Sequence, residues 1–115
     1  MAKQFVLYNL KDGVSEEEFM KFVNEFKGPF TTGLPAVKRY TITRVAGALK
    51  AKGGPPSPVE TPYQIAAVLD LTSLEAYGKD AESKAYREEF LPRVAEYVNE
   101  FLILRAEELY DNTSD

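Results

Sequence analysis

With no His and no Cys in the chain, proton transfer must come from Asp, Glu, Tyr, Lys or water. The missing His removes the commonest general base, the usual Ser and Cys triads, and most zinc or non-haem iron sites. The missing Cys removes disulfides and thiol chemistry. No spacing of carboxylates suits a metal ion, so neither a metal nor a cofactor is expected. The remaining candidates gather in residues 61–98, TPYQIAAVLDLTSLEAYGKDAESKAYREEFLPRVAEYV. Asp70 ends an apolar run and by alternation shares a face with Gln64, Ala66 and Val68. On a pocket-facing strand, desolvation would make that carboxyl a usable acid or base. The plainer reading is a cap for the turn at Thr72 and Ser73. Asp80 carries the same choice, with helix capping the stronger side. Tyr8, Tyr40, Tyr63, Tyr77 and Tyr86 offer apolar bodies with polar tips that suit an aromatic ligand, although two or three of them are expected to serve only the core or a dimer. Arg39, Arg44 and Arg93 could receive an anion. The plainer reading of each, and of the Glu88-Glu89 and Glu107-Glu108 runs, is a solvated surface.

Elements must hold these groups in place. Residues 3–10, KQFVLYNL, predict a strand with Gln4, Val6, Tyr8 and Leu10 on one face and Phe5, Leu7 and Asn9 on the other. Both faces carry apolar groups, so both should be covered. The clearest helix is predicted over 15–27. Ser15 and Glu18 form a capping box, Val14 and Phe19 a hydrophobic staple, and Glu16 and Glu17 favour the first turn. Phe19, Phe22, Val23 and Phe26 make one apolar stripe. Its Phe rings could line a pocket, core packing being the plainer reading. Gly28-Pro29 is expected to end this helix.

A second strand is predicted over 37–45. Residues 47–62, rich in Lys, Gly and Pro, read as a long loop, either a lid over a pocket or a mobile hairpin loop. Their spacing fits no phosphate-binding motif. A strand over 63–71 follows, then a short helical turn over 73–77 that Gly78 breaks. A longer helix runs from Asp80 to about Asn99, which Pro92 should kink or split. A last strand at 100–105 can extend to 110, and residues 112–115 form a polar tail.

The order is two strand–helix–strand halves. It predicts an α+β, ferredoxin-like βαββαβ fold, a four-stranded antiparallel sheet with both helices on one face. The other face is expected to carry Phe5, Leu7, Ile65, Ala67 and Leu69. A bare apolar face is rarely left wet, and a homodimer of two sheets packed face to face covers it. The 115 residues suit one domain, taken as 1–111. Composition is ordinary for a globular protein, and a net charge of −4 without a basic patch argues against nucleic acid or an anionic membrane as partner. No apolar run reaches the roughly 18 residues of a membrane span. Met1-Ala2-Lys3 leads straight into a strand, leaving no room for a signal peptide, so a cytoplasmic location is expected.

Three stretches carry a resemblance: VLYNLKDGVSEEEF, VLDLTSLEAYGKD and FLPRVAEYVNEFLILRAEEL. They resemble the dimeric α/β-barrel superfamily, which includes stress-responsive A/B-barrel, EthD-like and antibiotic-biosynthesis monooxygenase proteins, and within it the REDY-like family of prodiginine pathways. The resemblance covers nearly the whole chain, though none of the stretches is a catalytic signature. It implies a pocket for a small apolar or aromatic ligand between sheet and helices, and a homodimer joined through the sheet. A plant polyketide cyclase of this kind places His residues where this chain has Gln4, Gln64 and Ser83, and a Tyr where it has Tyr77. The His-based mechanism of that cyclase is therefore not supported here. With the resemblance and the residue chemistry taken together, the expected site has Asp70 and Tyr77 as acid/base groups and Gln4, Tyr8, Phe22, Tyr40, Gln64, Ser83 and Tyr86 around the substrate. The implied activity is a cofactor-independent hydrolysis, decarboxylation, proton transfer or cyclisation in specialised metabolism near pyrrole-type or polyketide intermediates. The alternative is a non-catalytic carrier of a hydrophobic metabolite. A haem monooxygenase is a distant third for want of an axial His, while a cofactor-free oxygenase stays open.

Overall fold

The structure is a computed structural model, and it describes residues 2–111. The tail expected at 112–115 lies outside the described residues. Four antiparallel strands form one sheet in the order β2-β5-β1-β6: β1 (Ala2–Tyr8), β2 (Val37–Arg44), β5 (Ile65–Leu71) and β6 (Leu102–Glu107). Two strand–helix–strand halves therefore interleave, with the central strands β1 and β5 paired to each other, as the ferredoxin-like reading predicts. The 47–62 segment forms its own small hairpin, β3 (Ala48–Lys50) with β4 (Ser57–Val59).

The first helical region begins as expected. Ser15 Oγ accepts from the Glu18 amide at 3.0 Å and the Glu18 carboxylate accepts from the Ser15 amide, closing the capping box. It does not stop at Gly28-Pro29. Helix α1 (Glu16–Phe22) passes into a π-helical segment (Val23–Lys27) and then into α2 (Gly28–Thr32). The reason lies in the proline. Pro29 has no N–H, and its ring crowds the carbonyl four residues back. A π segment, whose bonds reach five residues back, widens the coil there; the Gly28 amide donates to the Val23 carbonyl. The second helical region repeats the device. After α3 (Leu74–Ala81), a π-helical segment (Ala85–Phe90) precedes α4 (Leu91–Val94), the Leu91 amide donates to Tyr86, and Pro92 follows. Pro92 thus reshapes the helix without ending it. Gly78 does not break α3, which runs on to Ala81, and Asp80 caps no helix: its carboxylate accepts from the Ala36 amide at 2.9 Å, tying α3 to the start of β2.

Gly28 has a steric role here. A Cβ at this position would lie 2.8 Å from the Val23 carbonyl oxygen. We expect Gly28→Ala to lower stability by about 1–3 kcal/mol, read as a shifted urea midpoint. An unchanged midpoint would mean that the π segment yields freely.

The helices cover one face of the sheet. Val6, Tyr8, Ile65, Ala67, Leu69 and Leu71 are buried beneath Phe19, Phe22, Val23, Tyr77, Phe90 and Val94. One part of the expected facing is corrected. Gln4 lies opposite Leu69, Val6 opposite Ala67 and Tyr8 opposite Ile65, and directly paired residues share a face. Ile65, Ala67 and Leu69 therefore meet the helices, while Ala66, Val68 and Asp70 join Lys3, Phe5 and Leu7 on the open face. Among the described residues no helix is long and apolar enough to cross a membrane.

Candidate functional site

A cavity of about 70 Å³ sits between the sheet and the two helical regions. Its floor is Gln4 and Val6 of β1, Ala67 and Leu69 of β5, and Tyr40 of β2. Lys27 and Thr31 reach it from the first helical region, and Tyr77, Tyr86 and Phe90 from the second. Leu91 and Ile103, 40% and 49% exposed, line its outer end together with Phe101 and mark its mouth. A cavity that takes up benzene measures about 150 Å³, so this one admits only a few heavy atoms unless the mouth residues move.

Lys27 is the unexpected member. It is 5% exposed. Its ammonium donates to the Tyr40 hydroxyl and lies 4.8 Å from the centre of the Tyr40 ring, 5.7 Å from Tyr8 and 5.9 Å from Phe90. The Tyr40 hydroxyl and the nearby Tyr8 and Phe90 rings return part of the lost hydration. Among the described residues no carboxylate lies within ion-pairing distance of it. Burial accordingly lowers its ammonium to about 8. Thr31 Oγ1 donates to the Lys27 carbonyl at 2.8 Å and steadies the turn that carries it.

The phenols behave in the opposite sense. Burial raises Tyr8, Tyr40 and Tyr77 above the ordinary phenol value, and the neighbouring Tyr86 hydroxyl adds to this at Tyr77. They remain protonated donors through the neutral range. The Tyr77 and Tyr86 hydroxyls lie 3.3 Å apart. Tyr8 is fully buried, and its hydroxyl has no hydrogen-bond partner among the described residues. An aromatic row joins this site to the far end of the helices: Tyr97 stacks on Phe22 at 4.1 Å, Phe22 on Phe26, and Phe30 on Phe90 at 4.6 Å, next to Tyr86.

Gln4, Tyr40, Tyr77 and Tyr86 thus meet in one cavity, and Tyr8 lies beside it under Lys27. Phe22 is buried within the aromatic row, away from the lining. Three expected members stand elsewhere. Asp70 faces the open side of the sheet, where its carboxylate accepts from Lys3 and raises the Lys3 ammonium. Gln64 lies outside β5 and braces the loop after β1, its side-chain oxygen accepting from the Leu10 amide at 2.8 Å. Ser83 is exposed and caps the second π segment, accepting from the Tyr86 amide at 3.2 Å. Lys27 and Thr31 were absent from the expected site. Lys27 stands four residues beyond Val23 on the apolar stripe, and a lysine at a core position of a helix was the available signal.

The arrangement offers an aliphatic floor, aromatic walls, three phenol donors, a carboxamide and one desolvated amine. Such a site can hold a small, largely apolar molecule and bind an oxygen that gains negative charge.

Comparisons with known proteins agree with this architecture. No curated protein matches the chain. Among solved structures, HapK from Hahella chejuensis superposes with a TM-score of 0.72 at 19% identity, over 100% of this chain and 99% of that one. The Arabidopsis thaliana protein At3g17210 gives 0.73 at 15% identity, over 98% and 100%. A dabb family protein with a ferredoxin-like fold from Mesorhizobium loti gives 0.67 at 16% identity, over 95% and 97%. At these identities the likenesses establish the fold. The family model for REDY-like protein HapK matches residues 2–109, so the chain belongs to the HapK group of REDY-like proteins.

Proposed function

We propose that this chain is a cofactor-independent enzyme of specialised metabolism, acting on a small apolar or aromatic molecule in the cavity between sheet and helices. The observation that supports this reading is the convergence of Lys27, Tyr40, Tyr77, Tyr86 and Gln4 on one apolar-floored cavity. Phenols held protonated serve as donors to a substrate oxygen, and Tyr77 is well suited to protonate or stabilise an enolate-like oxygen. Asp70, on the other side of the sheet, has no part in this scheme. The working unit is a homodimer in the cytoplasm, joined through the open sheet face. Structural neighbours include a dimeric ferredoxin-like protein from Thermobifida fusca, and the open face here carries Phe5, Leu102 and Leu104 at 36%, 41% and 47% exposure.

A carrier is the second reading. It is favoured by a cavity lining that, among the described residues, holds no carboxylate. Native mass spectrometry of protein from its own host, followed by extraction, identifies a bound molecule and separates the two. For the enzyme, Tyr77→Phe should lower turnover of that molecule roughly 10- to 1000-fold with little change in binding. Binding without turnover in the wild type would establish the carrier.

A further inference from the structure

Lys27 raises a question that pocket lining alone does not answer. A lysine placed at the core of a helix interface normally brings a carboxylate with it. This one is packed against Tyr8, Tyr40 and Phe90 with no such partner among the described residues. The other side chains of the cavity lining are aliphatic, aromatic or uncharged hydroxyl and carboxamide groups. Such surroundings suit a neutral amine and a neutral ligand better than an ion pair.

We infer that Lys27 is a nucleophilic amine that captures a small aldehyde or ketone in this cavity as a Schiff base. The inference rests on the reading of the cavity as the ligand site and narrows its substrate class to carbonyl compounds. The neutral Nζ attacks the carbonyl carbon. A C–N bond forms, and the carbonyl π pair moves onto oxygen. One amine proton passes to that oxygen, a transfer the Tyr40 hydroxyl beside Nζ can relay. The carbinolamine then loses its hydroxyl and the second amine proton as water, leaving a C=N bond. Amine plus carbonyl gives imine plus one water, with no change in oxidation state. Tyr77, which burial keeps protonated, and Tyr86, whose hydroxyl lies 3.3 Å away, line the same cavity and stabilise the oxygen during addition. Desolvation supplies the needed protonation state: with an ammonium near 8, about one-tenth of Lys27 is neutral at pH 7, against about one in three thousand for an ordinary lysine.

The test uses the full-length protein at pH 7 with propanal and sodium cyanoborohydride, which reduces an imine to a stable propyl-amine. Peptide mass mapping over time follows each lysine. Lys27 should be modified at least about tenfold faster than the exposed Lys21 and Lys79. A Lys27→Met variant should lose that fast phase and keep the slow labelling of the other two. Modification of Lys27 no faster than Lys21 and Lys79 overturns the Schiff base. Propanamide, which fits the same space but forms no imine, separates the two levels of the argument. If it shifts the Tyr77 and Tyr86 ring resonances while Lys27 stays unlabelled, the cavity is a ligand site and the amine chemistry is wrong. If neither occurs, both readings fall.

Discussion

Replacing Lys27 with Met should make the protein more stable at pH 7, by about 1–3 kcal/mol, and should change the shape of its stability profile above pH 8. The wild-type ammonium is lowered from 10.5 to about 8 by burial. Below pH 8 both the folded and the unfolded chain carry the proton, and the buried charge costs its full amount, roughly 3 kcal/mol from that difference. Between about 8 and 10.5 the folded chain has released the proton while the unfolded chain still holds it. The unfolded state then binds more protons, so stability rises with pH. The titratable groups that lie against Lys27 or line its cavity are phenols: Tyr8 from β1, Tyr40 from β2, Tyr77 from α3 and Tyr86 from the second π segment. Three of these, Tyr8, Tyr40 and Tyr77, are raised above the ordinary value of 10.0. Their contribution is complete below pH 10 and is lost as pH rises further, because the unfolded chain ionises first. Wild type should therefore gain stability from pH 8 to about 10 and then lose it steeply. Lys27→Met should show the loss without the gain. Urea titrations across pH 7 to 11 read both curves. A flat wild-type curve up to pH 10 would mean that water reaches the ammonium, and would remove the desolvated amine on which the chemistry depends.

The case of Lys27 also marks the limit of what periodicity can say. Strand and helix order, the capping box at Ser15 and the apolar stripe from Phe19 to Phe26 follow from local chemistry and were legible. The end of the first helix was not. Gly28-Pro29 carries the usual signal of a stop, and only the π segment before it lets the coil continue to Thr32. That continuation brings Thr31 under the sheet and holds Lys27 inward. The phase of β5 was hidden for a different reason. Residues 65–71 are apolar on both alternating sets except for Asp70, so alternation gives the period and leaves the phase open. Pairing with β1 sets the phase, and such pairing lies between segments about 65 residues apart. Placing Asp70 in the pocket followed from the wrong phase. Gln4, Tyr40, Tyr77 and Tyr86 line one cavity; helical spacing with Phe90 and Val94 pointed Tyr86 inward, whereas Gln4 and Tyr77 came from the resemblance and Tyr40 only from its phenol chemistry.

The same phase decides how the open face should behave in solution, and there the expected effect is large. Leu104→Lys should weaken the proposed dimer at least about 1000-fold. Phe5 pairs with Val68 on one side and Leu104 on the other, and Leu7 with Ala66 and Leu102. These six side chains form one apolar patch across β5, β1 and β6, closed at one end by the Lys3–Asp70 ion pair. A two-fold interface uses the same patch on both copies, so one substitution places two ammonium groups in it. Burying each without a counter-charge costs about 2–4 kcal/mol after relaxation, and about 1.4 kcal/mol is tenfold in affinity. Sedimentation equilibrium of wild type should give a dimer, and Leu104→Lys a monomer at the same concentration. Glu89→Lys, an exposed change on the helical side, should leave the dimer intact. The cavity predicts how the two states differ in function. Gln4, Lys27, Tyr40, Tyr77 and Tyr86 reach the cavity from one chain, so the monomer should still bind a small ligand if the fold survives. Yet β1 and β5 carry both the patch and the cavity floor, Phe5 on one side and Gln4, Val6, Ala67 and Leu69 on the other. Wetting the patch removes apolar packing from the back of that floor, and the ligand affinity of the monomer should fall with its stability. A dimer that survives Leu104→Lys would place the contact on another surface and leave the open face without an occupant.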